Sequence, residues 1–128
     1  MTIDENKNKF LKNEFFALSI QGAFMRNRYV YKTKDEFKKK KFRMFLYNKL
    51  SSYTKKYKKN VDEEEHINNL KKIQREIYKY CKAKKILKKQ KNIKDTLNIG
   101  TIQKLLNLYL KYLWVSGYIN AEPPTLSN

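Results

Sequence analysis

The chain has one histidine, His66, and one cysteine, Cys81. A thiol beside an imidazole is a minimal nucleophilic pair, and both side chains can ligate metals. Here they accompany Leu70, Ile73 and Ile77 on one apolar helical face, which marks His66 as a structural histidine. No nucleophile pairs with the imidazole, and one His with one Cys is too few ligands for zinc. The acidic run Asp62 to Glu65 could hold a hard cation, but at a helix start such acids complement the dipole and need no ion. No phosphate-binding glycine loop, dinucleotide fingerprint or Ser/His/Asp arrangement occurs. These residues predict a protein that is not an enzyme, with no catalytic residue, cofactor or metal site.

The chemistry the sequence does offer is that of a surface for polyanions. From Phe37 to Val61 there is no Asp or Glu, and there is none from Ile77 to Lys94. Solvated helices ordinarily alternate charges at i,i+4 for small ion-pair gains. The first window leaves Lys38, Lys39, Lys40, Lys41, Arg43, Lys55, Lys56, Lys58 and Lys59 with no acid inside it. Around the second, Lys71, Arg75, Lys79, Lys82, Lys85 and Lys89 make one stripe opposite the apolar face, while Lys84, Lys88 and Lys91 turn toward the apolar side. A third basic stretch, "MRNRYVYK", sets Arg26 and Arg28 beside Tyr29 and Tyr31.

Lysine meets phosphate as a point charge, and the tyrosines in "YTKKYKKN" and "YKYCKAKK" could stack on unpaired bases. Arginine, the usual reader of base edges in duplex DNA, occurs only four times. The expected partner is therefore RNA or another single-stranded nucleic acid, free or within a ribonucleoprotein. A protein interaction module whose basic face docks an acidic protein surface is the alternative. Compact, basic, motif-poor chains are also of the kind that mobile elements of bacteria and phages use against host defence. A narrower expectation is thus an inhibitor of an RNA-guided, CRISPR-type nuclease.

The totals agree with a polyanion partner. Thirty Lys and Arg against 12 Asp and Glu give a net charge of +18, far more than solubility requires. Such density costs folding free energy through self-repulsion, which an anionic partner relieves. The abundance of Lys, Asn, Ile, Tyr and Phe is also what AT-rich codons produce, so part of the basicity has a compositional origin. A single cysteine and an acid-bearing N-terminus without an apolar core predict a cytoplasmic protein. The most apolar stretch, Ile99 to Ile119, is interrupted by Lys104, Asn107 and Lys111, so no membrane association is expected.

Proline occurs only at 123 and 124, and the pattern predicts an all-α bundle of about four helices over residues 1–120, with a loose tail over 121–128. A capping box at Thr2 to Glu5 opens a helix from Ile3 to about Phe24, with Phe10, Leu11, Phe15, Leu18 and Phe24 among its apolar positions. A second box, Thr33 to Glu36, opens a helix to about Tyr57, with Phe37, Phe42, Phe45, Leu46, Leu50 and Tyr53 inward. The acids at Asp62 to Glu65 start a third helix, which reaches about Lys89 and turns His66, Leu70, Ile73, Ile77, Tyr80 and Leu87 inward. The fourth runs from about Thr101 to Ser116 and stops at Gly117. It is apolar nearly all round, which predicts a central helix with Trp114 buried.

The last of these segments, "IGTIQKLLNLYLKYLWVSGYI…PP", resembles one in small uncharacterised bacterial proteins with the pattern G-T-x-Q-K-x-x-N-x-x-L-K-Y-L. In that family the segment continues into a His- and Cys-containing stretch, where this chain has "PPTLSN". The resemblance covers about the last fifth of the chain and implies a shared helix, with no activity attached. It singles out Gly100, Gln103, Lys104 and Asn107. Polar side chains such as Gln103 and Asn107 on an apolar helix are expected to find hydrogen bonds with neighbouring elements.

Overall fold

The computed structural model describes residues 2–24, 35–84 and 99–120. Their elements are α1 (Ile3–Phe24), α2 (Glu36–Thr54), a 3-10 turn (Lys55–Lys58), α3 (Glu63–Lys84) and α4 (Ile99–Val115). Among the described residues there is no strand. The protein is the small all-α bundle that the sequence predicts. The C-terminal tail, Thr33, Leu87 and the stretch of the third helix toward Lys89 lie outside the described residues.

Three of the helices begin where a side chain covers free amides. In α1 the box is reciprocal: the Glu5 amide donates to Thr2 Oγ1 at 3.1 Å, and the Thr2 amide donates to Glu5 Oε2 at 3.4 Å. The start of α2 corrects the expectation. Its cap is Asp35, whose Oδ1 accepts from the amides of Phe37 at 2.9 Å and Lys38 at 3.4 Å. Asp62 caps α3 by accepting from the Glu65 amide at 2.8 Å. At the far end of α4, Gly117 takes φ +82°, which an L side chain resists. Its amide donates to Trp114 O at 3.0 Å and the next, of Tyr118, to Leu113 O at 2.8 Å, so two terminal carbonyls are satisfied and the chain turns away.

One core draws on all four helices: Phe16, Ile20 and Ala23 of α1, Phe42, Leu46 and Leu50 of α2, Leu70, Ile73, Ile77 and Cys81 of α3, and Ile102, Leu105, Leu106, Tyr109, Leu110 and Leu113 of α4. Fully burying such a side chain stabilises the fold by about 1.5–3 kcal/mol. α1 and α4 pack closely and antiparallel. Phe15 stacks on Tyr112 at 5.6 Å, Phe16 meets Tyr109 edge-on at 5.7 Å, and the Tyr118 hydroxyl donates to Asn8 Oδ1 at 2.8 Å. Close approach requires small residues at the seam. A Cβ built on Gly22 would lie 2.9 Å from Leu108 Cδ1.

Three faces depart from expectation. α1 turns Ser19, Ile20 and Ala23 inward and leaves Phe10 and Leu18 exposed. Phe37 is also exposed, because it precedes Phe42 by five positions and so lies on the far side of α2 from the Phe42, Leu46, Leu50 row. α4 is not buried all round. Lys104, Lys111 and Val115 face outward, and Trp114, at the edge of the buried arc, is 38% exposed.

Candidate nucleic-acid interface

The lysines are positioned by the hairpin that α2 and α3 make. Phe45 stacks on Tyr80 at 4.1 Å, and Phe42 lies 6.0 Å from the same ring. One to two turns further along α2, Lys49 Nζ stands 3.6 Å from Glu76 Oε2. Beyond the 3-10 turn's start, the Tyr57 hydroxyl bonds His66 Nδ1 at 2.6 Å. These pairs fix an antiparallel register. Continued by one turn, it sets Lys41 level with Lys84.

The register sorts the expected site residues into two groups. Lys38, Lys39, Lys40 and Lys41 at the start of α2 share one end of the hairpin with Lys82 and Lys84 of α3. Lys79, Arg75 and Lys71 continue the stripe along the outer face of α3, and all three are exposed. Lys55, Lys56, Lys58 and Lys59 lie at the other end, beside Asp62, Glu63, Glu64 and Glu65. The ends are separated by the length of α2, roughly 25 Å at 1.5 Å per residue. That exceeds a Debye length of about 10 Å at 0.1 M salt, so the run Asp62 to Glu65 screens the second group and not the first, whose own end carries Asp35 and Glu36. Arg43 is exposed on the flank of α2 away from α3. Arg26, Arg28, Tyr29, Lys85, Lys88 and Lys89 lie outside the described residues.

Counter-charges exist that the acid-free windows conceal. Lys39 Nζ is 3.4 Å from Glu36 Oε1, one turn back and just outside the window. Glu76 reaches across from α3 to Lys49. Lys38, Lys40 and Lys41 have no carboxylate within ion-pair distance among the described residues.

Among the described residues, three of the lysine-flanked tyrosines that could stack on bases serve the fold. Tyr53 and Tyr57 are buried, and Tyr80 stacks on Phe45. Burial, then the neighbouring Glu76 carboxylate, raises the Tyr53 hydroxyl pKa, and burial pushes Tyr57 up to about 12. The interleaved lysines lean on these rings: Lys56 Nζ lies 4.8 Å from the Tyr53 centroid, and Lys82 Nζ 5.6 Å from that of Tyr78. The exposed aromatic at the basic end is one that periodicity had assigned to the core, Phe37, 64% exposed, with Lys41 Nζ 4.6 Å from its ring centroid.

His66 belongs to a buried polar cluster. The Asn69 amide donates to the Tyr57 oxygen at 3.1 Å, which leaves the Tyr57 proton to bond His66 Nδ1. That arrangement places the imidazole proton on Nε2, beside Asn107 of α4. His66 Nε2 and Asn107 Oδ1 are both buried and neither has a hydrogen-bond partner of good geometry among the described residues, although the Asn107 side chain lies close enough to act on the imidazole. Burial lowers the His66 pKa and outweighs Asn107, which raises it. Cys81 is fully buried in apolar surroundings, which push its thiol up to about 12. Its thiolate is therefore disfavoured, and with it nucleophilic reactivity.

At the acidic end, a surface depression is lined by Asp62, Glu63, Glu64, Ile67, Asn68 and Lys71. Among the described residues no three His, Cys, Asp or Glu side chains group as metal ligands. Among the same residues no helix is long and apolar enough to cross a membrane. No protein-family model, curated protein or solved structure matches the chain.

Proposed function

We propose that this protein binds RNA or another single-stranded nucleic acid through the end of the α2–α3 hairpin where Lys38, Lys40, Lys41, Lys82 and Lys84 gather, without catalysing a reaction. One observation carries the reading. The antiparallel register joins parts of two acid-free segments at one end of the hairpin, where Asp35 caps the helix and Glu36 pairs with Lys39, and leaves the run Asp62 to Glu65 at the other. Arg75, Lys79 and Lys82 extend that end into a basic track on which a flexible polyanion can lie, and the stripe ends where Lys71 meets Asp62, Glu63 and Glu64. Each neutralised phosphate releases condensed counterions, so affinity falls steeply with salt. A ribonucleoprotein, an RNA-guided nuclease included, offers the same phosphates.

The test is a pair of charge reversals matched in net charge. Lys38, Lys40 and Lys82 changed together to Glu should weaken binding to a single-stranded RNA at least tenfold more than Lys55, Lys56 and Lys58 changed together to Glu. The first variant should also lower the slope of log affinity against log salt by about one unit for each phosphate it no longer neutralises. Equal weakening by the two would reduce the basic end to a compositional effect. No binding by the unaltered protein, with capture of an acidic protein instead, would favour the interaction module.

A further inference from the structure

Phe37 is the large side chain that the fold leaves without a structural task at the basic end. It is 64% exposed, and among the described residues Lys41 is its one ring partner. Its position is nonetheless held. The Phe37 amide donates to Asp35 Oδ1 at 2.9 Å, which fixes the backbone in the first turn of α2. The Lys41 ammonium, 4.6 Å from the ring centroid, steadies one face of the ring. Lys38 and Lys40 flank it in sequence, and neither has a carboxylate partner among the described residues. The nearby negative charges are already matched: Glu36 pairs with Lys39 at 3.4 Å, and Asp35 is spent on the helix amides.

An anchored aromatic ring with free ammonium groups on either side is the arrangement that takes a base against the ring and phosphates against the charges. We infer that Phe37 is a base-stacking residue, that its Lys41-free face receives one unpaired nucleobase, and that Lys38 and Lys40 hold the adjoining phosphates. This rests on the basic end being a single-strand nucleic-acid surface and adds the residue that receives a base. Bases inside a duplex are already stacked on each other, so the site selects single strands. An acidic peptide would satisfy the lysines but leave the ring unused.

The experiment compares the full-length protein with Phe37→Ala at one fixed salt, using a uridine dodecamer, the same strand with abasic residues, and a duplex of equal length. Phe37→Ala should bind the dodecamer about tenfold more weakly, the lower part of the range for removing one base stack. Its binding to the abasic strand and the duplex should be unchanged, as should its salt slope, since every phosphate-binding lysine is kept. Because Phe37 is exposed, its melting temperature should also match the unaltered protein. A Phe37→Trp variant in a Trp114→Phe background gives a direct signal, since its fluorescence should be quenched by the dodecamer and not by the abasic strand. Equal affinity of Phe37→Ala for the dodecamer, with no quenching in Phe37→Trp, overturns the stacking role and leaves the lysine surface standing. If the unaltered protein binds none of the three, both readings fall.

Discussion

His66 makes the pH response of this fold attributable to one residue, since it is the only histidine. Burial lowers its pKa from 6.5, so the folded chain resists a proton that the unfolded chain accepts. Full stability is therefore present above pH 6.5 and is lost as pH falls from there toward the folded value. The melting temperature should drop between pH 7.5 and 5.5, and a His66→Gln variant should show a flatter profile over that window. An unchanged slope in the variant would place the cause elsewhere. Gly117 is a second single-residue test. Nothing lies within 4 Å of its missing Cβ, so Gly117→Ala costs only backbone strain at φ +82°, about 1 kcal/mol. That corresponds to a melting temperature lower by roughly 4 °C. The structural role of His66 and the stop at Gly117 were legible because each depends on local signals, an apolar face and a glycine after a long helix. The tyrosines were less legible. A lysine-flanked ring reads alike whether it faces a base or the core: helical spacing turned Tyr53 inward, and only packing placed Tyr57 inside.

Helix starts follow from side chains a turn away, and so the sequence located all four within a few residues of their places, the fourth two residues late. The second was set two residues early because Thr33 and Asp35 both qualify as caps. Buried faces were harder. They depend on the partner helix, and α1 shows why: its seam with α4 uses Ser19, Gly22 and Ala23, small residues that no hydrophobic count favours. Gly22→Ala should be tolerated within about 1 kcal/mol, since the helix-propensity gain offsets the displacement of a half-exposed Leu108 methyl. Gly22→Leu should push α1 from α4 and cost about 1–3 kcal/mol by overpacking. Denaturant melts of the two variants, read against each other, check the seam. Equal stability would show that the two helices leave room for a large side chain at Gly22. Phe37 was misassigned for a different reason. Its five-residue offset from Phe42 already put it off the buried row, and the error was to count an aromatic as core by type.

For the whole molecule, the +18 charge sets two salt effects of opposite sign. Self-repulsion destabilises the free protein and is screened as the Debye length shortens from about 10 Å at 0.1 M to 3 Å at 1 M. The melting temperature of the free protein should therefore rise with added sodium chloride, while its affinity for nucleic acid falls. Heparin, a polyanion without bases, should raise the melting temperature at low salt and lose that effect at high salt. A free protein whose melting temperature falls with salt would mean that attractive pairs such as Lys49–Glu76 outweigh the net repulsion. The basic character itself was evident from composition. Its arrangement was not, because the first acid-free window is continuous in sequence, yet the fold sends its Lys55 to Lys59 to the acidic end and its Lys38 to Lys41 to the opposite one.

The packing of α1 against α4 has a consequence in time. The contact from Asn8 to Tyr118 joins the earliest-made helix to the last. α1 ends at Phe24 and α4 begins at Ile99. At synthesis rates of about 5–20 residues per second, those roughly 75 residues take on the order of 4–15 s to appear. Throughout that interval Phe16, Ile20 and Ala23 have no partner on α4, while the α2–α3 hairpin has all of its own contacts once Lys84 is made. Chains attached to ribosomes with Lys84 outside the exit tunnel and α4 still inside it should therefore show protease protection in α2 and α3 and cleavage in α1, and protection should reach α1 only when α4 has emerged.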